Sequence, residues 1–203
     1  MIVLGLGNPG EEYGRTRHNA GFLVVEAARE RWKGGRWRQG AAAAVAQVRV
    51  SGAVHRLVRP TTFMNRSGEV VRELLRSGAA PGDLLVVLDD IDLPLGRLRL
   101  RAEGGAGGHR GLQSVLAVLA PASVARLRIG VGRPDGGTDA ADHVLAEFSA
   151  EEWPRMEAMI VRSLAALEVV LCESLAAAMD RFNGLAAPWE ENNRAQGGNG
   201  QAG

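Results

Sequence analysis

The sequence predicts a single-domain α/β protein whose central sheet is twisted, mostly parallel and flanked by helices. Short apolar runs typical of buried strands alternate along the chain with stretches of helical periodicity. The length of 203 residues suits one domain. Hydrophobic residues make up 46% of the chain and charged residues 23%, which is typical of a folded globular protein.

Helices are expected at four places where apolar residues recur every three or four positions. The first two follow Asn19 and Ser67, which we expect to cap them. A third follows the glycines before His109, and the longest apolar stripe, residues 156–182, predicts one long C-terminal helix. Strands are expected at residues 1–6, 43–50, 54–58, 84–88, 98–102 and 127–131.

The folded domain is expected to comprise residues 1–184. From about Leu185 the sequence LAAPWEENNRAQGGNGQAG loses its periodicity, so we expect residues 185–203 to be a flexible C-terminal tail. The chain shows neither a secretory leader pattern nor a stretch long enough to span a membrane. With Cys172 as its single cysteine, it is expected to be a soluble cytoplasmic protein.

Charge is unevenly distributed, although the net charge is only +1. Between Leu93 and Arg133 the chain carries seven arginines and one acidic residue, Glu103. A general preference for arginine explains part of this, since Lys33 is the only lysine. It does not explain the scarcity of acidic residues, so this basic segment favours an anionic partner such as nucleic acid.

The first ten residues, MIVLGLGNPG, match the G-x-G-x-x-G pattern of dinucleotide-binding folds. Such a site needs a helix that starts at the third glycine, but Pro9 precedes Gly10 and the next helical pattern begins at Asn19. It also needs an acidic residue after the second strand, whereas Glu26 and Glu30 fall inside a helix. The sequence therefore argues against a nucleotide site.

Polar side chains in three loops suggest a catalytic crevice instead. The opening loop carries Asn8, Tyr13 and His18, the stretch RPTTFMNRSG follows the strand at 54–58, and VVLDDIDLP contains Asp89. Because loops at the carboxyl ends of parallel strands converge, we expect these side chains to meet. They offer an imidazole, carboxylates and carboxamides without a serine or cysteine nucleophile, which suits general-base catalysis with water.

His18 suits the role of base because imidazoles titrate near ~6.5, and Asp89 suits the partner that fixes the imidazole tautomer. Asn8 or Asn65 can donate a hydrogen bond to a carbonyl oxygen that becomes negative as water attacks. The residues alone leave other interpretations open: a structural or capping histidine at position 18, and a turn or a magnesium site at aspartates 89, 90 and 92.

Five longer stretches carry a resemblance to a known family: GLGNPGEEYGRTRHNAGF, RPTTFMNRSGEVV, DDIDLPLGRLRLR, GGAGGHRGL and RLRIGVGRP. Through these motifs, in this order over residues 1–184, the chain resembles the bacterial peptidyl-tRNA hydrolases. The resemblance implies a monomeric α/β enzyme that hydrolyses the ester between a peptide and the terminal ribose of tRNA. It thereby recycles tRNA from peptidyl-tRNA released from the ribosome, and the resemblance implies neither a metal nor another cofactor.

The resemblance also implies a role for each candidate site residue. His18 is the base that activates water, Asp89 is its partner, and Asn65 lies beside the water and the substrate. Asn8 distinguishes a blocked α-amino group from a free one. The other implied contacts are those of Phe63 and Met64 with the peptide, of Tyr13 with the tRNA end, and of Arg101 and Arg128 with tRNA phosphates.

Two positions depart from the family pattern. The glycine-rich loop usually reads GGHNG but here reads GGHRG, so Arg110 replaces a substrate-contacting asparagine. A lysine that is common near Gly137 is also absent, although Arg133 lies close in sequence. A cation at a helix N-terminus is unfavourable, and two partners for Arg110 remain open: Glu103 or, favoured by the basic segment, a tRNA phosphate.

Two other functions compete with the hydrolase. An RNA-binding protein that lacks catalysis can share the fold and the basic surface, but the joint presence of His18, Asp89, Asn8 and Asn65 speaks against it. A serine esterase is disfavoured because the sequence contains no G-x-S-x-G motif.

Overall fold

The computed structural model describes residues 1–134, 136–137 and 139–190. In these residues the strands are β1 Ile2–Gly5, β2 Arg38–Gln39, β3 Ala43–Val50, β4 Ala53–Pro60, β5 Leu84–Asp90, β6 Leu98–Arg101 and β7 Ala125–Gly130. The helices are α1 Ala20–Arg31, α2 Gly68–Arg76, α3 Arg110–Leu119, α4 Ala140–Leu145, α5 Trp153–Cys172 and α6 Leu175–Phe182. All six predicted strands are present, with ends within two residues of those expected. Neither β2 nor α4 was predicted.

The strands form one sheet in the order β2-β3-β4-β1-β5-β7-β6. The four central strands β4, β1, β5 and β7 are parallel, whereas β2, β3 and β6 pair antiparallel at the two edges. At one edge, Ser51 and Gly52 have φ values of +46° and +85°, which suits the two-residue turn of a hairpin. The predicted α/β class is confirmed, with a mixed sheet whose parallel part is the centre.

The alternation of side chains in β1 divides the core into two layers. Ile2 and Leu4 face the cluster built with α2 and α3, whereas Val3 faces the cluster built with α1, α5 and α6. All residues of β1 and β5 are buried, as expected for parallel strands with helices on both sides. The carboxyl ends of these strands are consequently held rigidly at one edge of the sheet.

The long C-terminal helix is confirmed as α5, but it ends at Cys172 rather than continuing to Phe182. The chain is extended at Ser174, with φ of −167°, and the Ser174 Oγ accepts a hydrogen bond from Ala177 N at 3.1 Å. A serine in this position starts a new helix, so the apolar stripe is shared by α5 and α6. In the described residues, every helix is too short or too polar to cross a membrane.

The start of the expected tail packs against the folded domain. Ala187 is only 2% exposed, and Arg97 donates a hydrogen bond to the Leu185 carbonyl at 2.6 Å. A Cβ on Gly96 would lie 2.6 Å from the Ala187 Cβ and 2.7 Å from the Trp189 ring. Packing therefore continues beyond the predicted boundary at residue 184, while residues 191–203 of the expected tail lie outside the described part.

The contact at Gly96 can be measured with a matched pair of substitutions. Gly78 and Gly96 both have positive φ, +93° and +102°, but a Cβ on Gly78 would meet no atom within 4 Å. Gly78→Ala should lower the free energy of unfolding by about 1–2 kcal/mol through backbone strain alone. Gly96→Ala should cost a further ~1–3 kcal/mol through overlap with residues 187 and 189, as measured by urea denaturation.

A chain that ends at Gly184 provides the control for this comparison. In this shorter chain, Gly78→Ala and Gly96→Ala should lower the free energy of unfolding by the same amount. The residues that a Cβ at position 96 would overlap are absent from it. Equal costs in the full-length chain would contradict packing of residues 185–190 at Gly96.

Candidate active site

Three loops and the glycine-rich stretch meet at the carboxyl ends of the parallel strands. The loop after β1 carries Asn8 and His18, the loop after β4 carries residues 63–65, the end of β5 contributes Asp89, and the glycine-rich stretch after β6 ends at His109. In α/β sheets this edge is the usual place for a ligand, and a pocket of about 770 Å³ opens here. Its lining includes all the predicted site residues except Arg101, namely Asn8, Tyr13, His18, Phe63, Met64, Asn65, Asp89, Arg110 and Arg128.

His18 and Asp89 form the hydrogen-bonded pair that general-base catalysis requires. His18 Nδ1 lies 2.9 Å from Asp89 Oδ1, and the Asp89 side chain is 2% exposed. Donation by Nδ1–H to the carboxylate leaves the lone pair on Nε2, at the other end of the imidazole. The geometry thus presents an unprotonated nitrogen on a ring whose orientation is fixed by a buried carboxylate.

His109 shares this carboxylate, a role that the sequence reasoning missed. Its Nε2 lies 2.9 Å from the same Asp89 Oδ1, and its Nδ1 accepts a hydrogen bond from Leu112 N at 3.1 Å. Because Nδ1 accepts, the ring proton is on Nε2 and is donated to Asp89. His109 is therefore both the N-cap of α3 and a second hydrogen-bond donor to the partner of His18.

The signal for His109 was present in the GGAGGHRGL motif. A histidine between flexible glycines and the first apolar residues of a helix occupies the capping position, where polar side chains are favoured. Its second nitrogen is then free to reach another element. The contact with Asp89 itself depends on how α3 docks against β5, which no local pattern specifies.

The charge on Asp89 is stabilised by its two histidine partners. Burial alone would raise the pKa of the carboxyl, but the interactions with His109 and the hydrogen bond from His18 outweigh burial and hold the pKa well below its usual range. Asp89 consequently stays ionised at any pH near neutrality. An ionised partner is what stabilises a histidine when it takes up a proton.

The same three side chains are also the strongest candidate for a metal site within the described residues. One ligand atom from each of His18, Asp89 and His109 lies within 4.8 Å of the others. A metal-bound histidine normally donates a hydrogen bond with its second ring nitrogen, whereas the second nitrogen of His109 accepts one from Leu112. The hydrogen-bond pattern therefore fits a proton-sharing cluster better than a metal centre.

Asn8 is held by both its main chain and its side chain. Asn19 Oδ1 accepts from Asn8 N at 2.8 Å, Asn19 Nδ2 donates to Asn8 O at 3.0 Å, and Asn8 Oδ1 accepts from Met64 N at 2.8 Å. With Oδ1 committed to Met64, the Asn8 Nδ2 is the group that remains for a ligand. Within the described residues it has no acceptor.

The expected capping roles of Asn19 and Ser67 are wrong. The Asn19 side chain makes no hydrogen bond to the start of α1, because both the oxygen and the nitrogen of its carboxamide bind the main chain of Asn8. Ser67 likewise does not cap α2, and its Oγ donates instead to the Met64 carbonyl at 2.7 Å. Both residues stabilise the loops that line the pocket. As a result, α1 and α2 begin without a side-chain cap.

The glycines of the opening loop are explained by packing against α1. A Cβ on Gly5 would lie 2.4 Å from the Gly21 carbonyl oxygen, and one on Gly7 would lie 2.5 Å from the Phe22 ring. No side chain fits at these distances, so the loop needs glycine for close approach of the helix. The G-x-G-x-x-G match thus has a structural cause that involves no nucleotide.

The rim of the pocket is partly apolar. The Phe63 side chain is 55% exposed and packs edge-on against Tyr13, with ring centroids 6.5 Å apart. Met64 differs, because its side chain is only 4% exposed and belongs to the core cluster beneath the site. Asn65 is exposed at the pocket margin, and its side chain makes no hydrogen bond to the described residues.

The unpredicted helix α4 forms another wall of the pocket and is fixed by Arg17. Arg17 Nη1 donates to the carbonyl of His143 in α4 at 3.5 Å and to that of Glu147, just after α4, at 2.9 Å, and Arg17 Nη2 forms an ion pair with Glu152 at 2.6 Å. Leu145, at the end of α4, is 45% exposed beside the pocket. Because Arg17 directly precedes His18, the position of this wall is tied to that of His18.

Four arginines form a basic ladder on β6 and β7. Arg99 pairs with Arg128 and Arg101 pairs with Arg126 across the two antiparallel strands. Arg128 lines the pocket and forms an ion pair with Asp90. Arg101 is exposed but lies away from the pocket, because β6 runs antiparallel and places it opposite Arg126, near the start of β7.

Arg126 is the buried member of this ladder, at 1% exposure. Its guanidinium donates to the carbonyls of Gly104, Gly105 and Val124 at distances of 2.7 to 3.1 Å. Burial and the charge of neighbouring Arg128 lower its pKa. The carbonyl contacts fasten the glycine-rich stretch, and through it His109, to β7.

Arg110 is the first residue of α3 and is exposed. Among the described residues it forms no ion pair, so Glu103 is not its partner. Arg110 lines the catalytic pocket and also an adjoining groove between α2 and α3. An unpaired cation in this position is available to a ligand.

Comparison with known proteins decides the family. A sequence model of the family described as peptidyl-tRNA hydrolase matches residues 2–192. The chain belongs to the peptidyl-tRNA hydrolase family. The predicted resemblance is thereby confirmed.

Relatives and solved structures agree with this assignment. The peptidyl-tRNA hydrolases of Synechococcus sp. and Chloroflexus aggregans are 45% and 44% identical, and each alignment covers 91% of this chain and 83% or 99% of the relative. The crystal structure of peptidyl-tRNA hydrolase from Acinetobacter baumannii superposes with a TM-score of 0.84 at 33% identity, covering 91% of this chain and 95% of that one. The family's fold thus extends over nearly the whole chain.

The dual role of His109 can be tested with two substitutions. His109→Asn should keep the cap on α3, because an asparagine oxygen accepts from Leu112 N, but should lose the hydrogen bond to Asp89. It should lower kcat roughly tenfold to a hundredfold by loosening Asp89 and His18, and it should lower the free energy of unfolding by about 1–3 kcal/mol because buried Asp89 loses one of its two donors. His109→Ala should lower kcat equally and should cost about 1 kcal/mol more unfolding free energy than His109→Asn, because the cap of α3 is lost as well.

Steady-state kinetics on N-acetylaminoacyl-tRNA and thermal unfolding separate the two effects. If His109→Asn retained full kcat, the contact with Asp89 would have no catalytic importance and His109 would be only a helix cap.

Proposed function

We propose that this chain hydrolyses the ester that joins a peptide to the terminal ribose of tRNA, and that it recycles tRNA from peptidyl-tRNA released from the ribosome. It does so as a cytoplasmic monomer without a cofactor. The observation that carries the proposal is the hydrogen bond of His18 Nδ1 to the buried, ionised Asp89, which leaves Nε2 open to the pocket. Family membership supports the choice of substrate.

His18 acts as the general base. Its Nε2 accepts a proton from a water molecule while the water oxygen attacks the ester carbonyl. The resulting imidazolium is stabilised by Asp89, and it returns the proton to the ribose oxygen as the carbon–oxygen bond breaks. The products are tRNA with a free ribose hydroxyl and a peptide with a free carboxylate. Asn65, unpaired at the pocket margin, is suited to hold the water or the substrate carbonyl.

Asn8 selects substrates through its Nδ2 donor. Since its Oδ1 accepts from Met64 N, Asn8 presents an N–H group, which binds the carbonyl oxygen of an N-acyl group. A free aminoacyl-tRNA carries an ammonium group at this place, and an N–H donor repels it. Asn19 holds the Asn8 main chain on both sides and so keeps this donor in position.

The basic ladder supplies the surface for the tRNA phosphates. Cationic residues placed directly opposite each other in a sheet destabilise it, and Arg99 and Arg101 have no carboxylate partner in the described residues. Bound phosphates would offset both the repulsion between the arginines and the lack of a carboxylate partner. Arg101 and Arg128 are therefore proposed to contact phosphates, and Arg99, between them in the ladder, is added to the set.

An RNA-binding protein without catalysis is the weaker alternative. RNA binding needs the ladder, but it does not need a buried carboxylate that receives hydrogen bonds from two histidines. Burying such a charge costs several kcal/mol before its partners compensate. The cluster is consequently better explained by the chemical step.

Substitution of His18 tests the proposed function directly. His18→Ala should lower kcat on N-acetylaminoacyl-tRNA by roughly 10²- to 10⁴-fold, because the proton acceptor is gone. The fold and tRNA binding should be retained, and the melting temperature should fall by a few degrees because buried Asp89 loses one of its two donors. Asp89→Asn should cost less, since the imidazole remains. Hydrolysis in ¹⁸O-labelled water should place one label in the peptide carboxylate, and prior treatment with EDTA should leave the rate unchanged.

Retention of more than a tenth of the wild-type turnover by His18→Ala would refute the assignment of the base. Inactivation by EDTA, with recovery on addition of one metal, would instead assign the cluster of His18, Asp89 and His109 to a metal.

The role of Asn8 can be tested by exchanging its donor for an acceptor. Asn8→Asp keeps an oxygen for Met64 N but replaces the N–H group by a carboxylate oxygen, which repels an acyl carbonyl and attracts an ammonium group. The ratio of kcat/KM for N-acetylated over free aminoacyl-tRNA should fall in Asn8→Ala and fall further in Asn8→Asp. Equal ratios in wild type and both variants would place the selectivity elsewhere.

A further inference from the structure

A second cavity, the α2–α3 groove, adjoins the active site. It has a volume of about 590 Å³ and lies between α2 and α3. Ala117 and Val118 contribute apolar surface, while Glu69, Arg72 and Arg110 contribute charge. The two helices approach closely here, because Gly68 N donates to Ser114 Oγ at 3.0 Å, and this contact closes the base of the groove.

The groove carries two cations, Arg72 and Arg110, that form no ion pair within the described residues. Arg66 forms an ion pair with Glu69, Nε to Oε1 at 2.8 Å, and the hydrogen bond from Arg66 lowers the pKa of Glu69. Arg72 and Arg110 form no ion pair with any residue that the structure describes. The charges of Arg66 and Glu69 cancel, so the groove has an excess of two positive charges.

The groove adjoins the pocket that contains His18 and Asp89. The two cavities share Asn65, Arg66 and Arg110. Arg128, the member of the basic ladder that lines the pocket, does not line the groove. The ladder and the groove therefore leave the pocket in different directions.

We propose that the α2–α3 groove receives the peptide part of the substrate and that Arg72 and Arg110 favour acidic side chains in it. This inference rests on the proposed function. Arg110 directly follows His109, whose ring contacts Asp89, so the groove begins close to the reacting ester. At ~3.3 Å per extended residue, the second and third residues from the ester reach it.

The lining favours a peptide over the RNA backbone. Apolar surface, a glutamine, a serine and the carboxylate of Glu69 alternate with the arginines in the groove. A phosphate backbone carries one charge per nucleotide, whereas the groove offers only two uncompensated positive charges on a lining that is otherwise polar or apolar. Peptides present isolated charges between apolar and amide groups, which matches two unpaired arginines on a mixed surface.

The test compares peptidyl-tRNAs that differ only in charge. N-acetyl-tripeptidyl-tRNAs carry Glu, Gln or Lys at the second and third residues from the ester, and N-acetylaminoacyl-tRNA, which does not reach the groove, is the reference. At low salt, kcat/KM should be highest for Glu and lowest for Lys, with a ratio of about fivefold. The ratio should approach one near ~1 M salt, where the charges are screened.

Substitutions of single arginines assign the effect to the groove. Arg72→Gln and Arg110→Gln should each bring the Glu-to-Lys ratio closer to one. Arg76→Gln is the matched control, since Arg76 is an exposed arginine of α2 that does not line the groove, and it should leave the ratio unchanged.

The possible results distinguish failure of the proposed hydrolase function from failure of the groove assignment. If the wild type does not cleave the reference substrate, the proposed function is wrong and the groove assignment falls with it. If it cleaves the reference but treats Glu, Gln and Lys peptides equally, the groove assignment alone is wrong. If Arg110→Gln lowers kcat/KM equally for all substrates and reduces the salt dependence, Arg110 contacts a tRNA phosphate instead.

Discussion

The active site depends on a single oxygen atom, Asp89 Oδ1, which accepts hydrogen bonds from His18 and His109 at 2.9 Å each. These contacts join the opening loop, the end of β5 and the start of α3, which are distant in sequence. A buried carboxylate is costly unless donors surround it. The native arrangement of the three elements is therefore the one in which both imidazoles reach this oxygen.

Contacts within the opening loop and with α1 fix the path of the loop, so that His18 reaches Asp89 Oδ1. Gly5 and Gly7 allow α1 to lie against the end of β1, and Asn19 returns to hold the main chain of Asn8. His18 is the residue immediately before this clamp. The packing of the loop and the orientation of His18 thus have the same cause. Helix α1 begins without a side-chain cap because the Asn19 side chain binds Asn8 instead.

Local patterns predicted six of the seven described strands but not β2 or α4. They also predicted most residues of the candidate site, because strand ends converge in any parallel sheet. They located His18, Asp89 and the loop of residues 63–65, and the family resemblance gave them roles. They failed where a side chain acts over long range. Asn19 resembles a helix cap in sequence, and His109 resembles a loop residue, but the partners of both are set by tertiary packing. The residues after Leu185 lack periodicity, yet Ala187 is buried because Gly96 leaves room for it.

Arg126 shows how the proposed RNA surface and the chemical site are connected. Its buried charge has carbonyl oxygens as partners rather than a carboxylate, so its stability depends on the glycine-rich stretch keeping its path. That path ends at His109, which contacts Asp89. Arg126 is also flanked by Arg128 and Arg101, whose positive charges repel its own. If phosphates bind these neighbours as proposed, they would lower the cost of the buried guanidinium and so stabilise the loop path that holds His109 against Asp89.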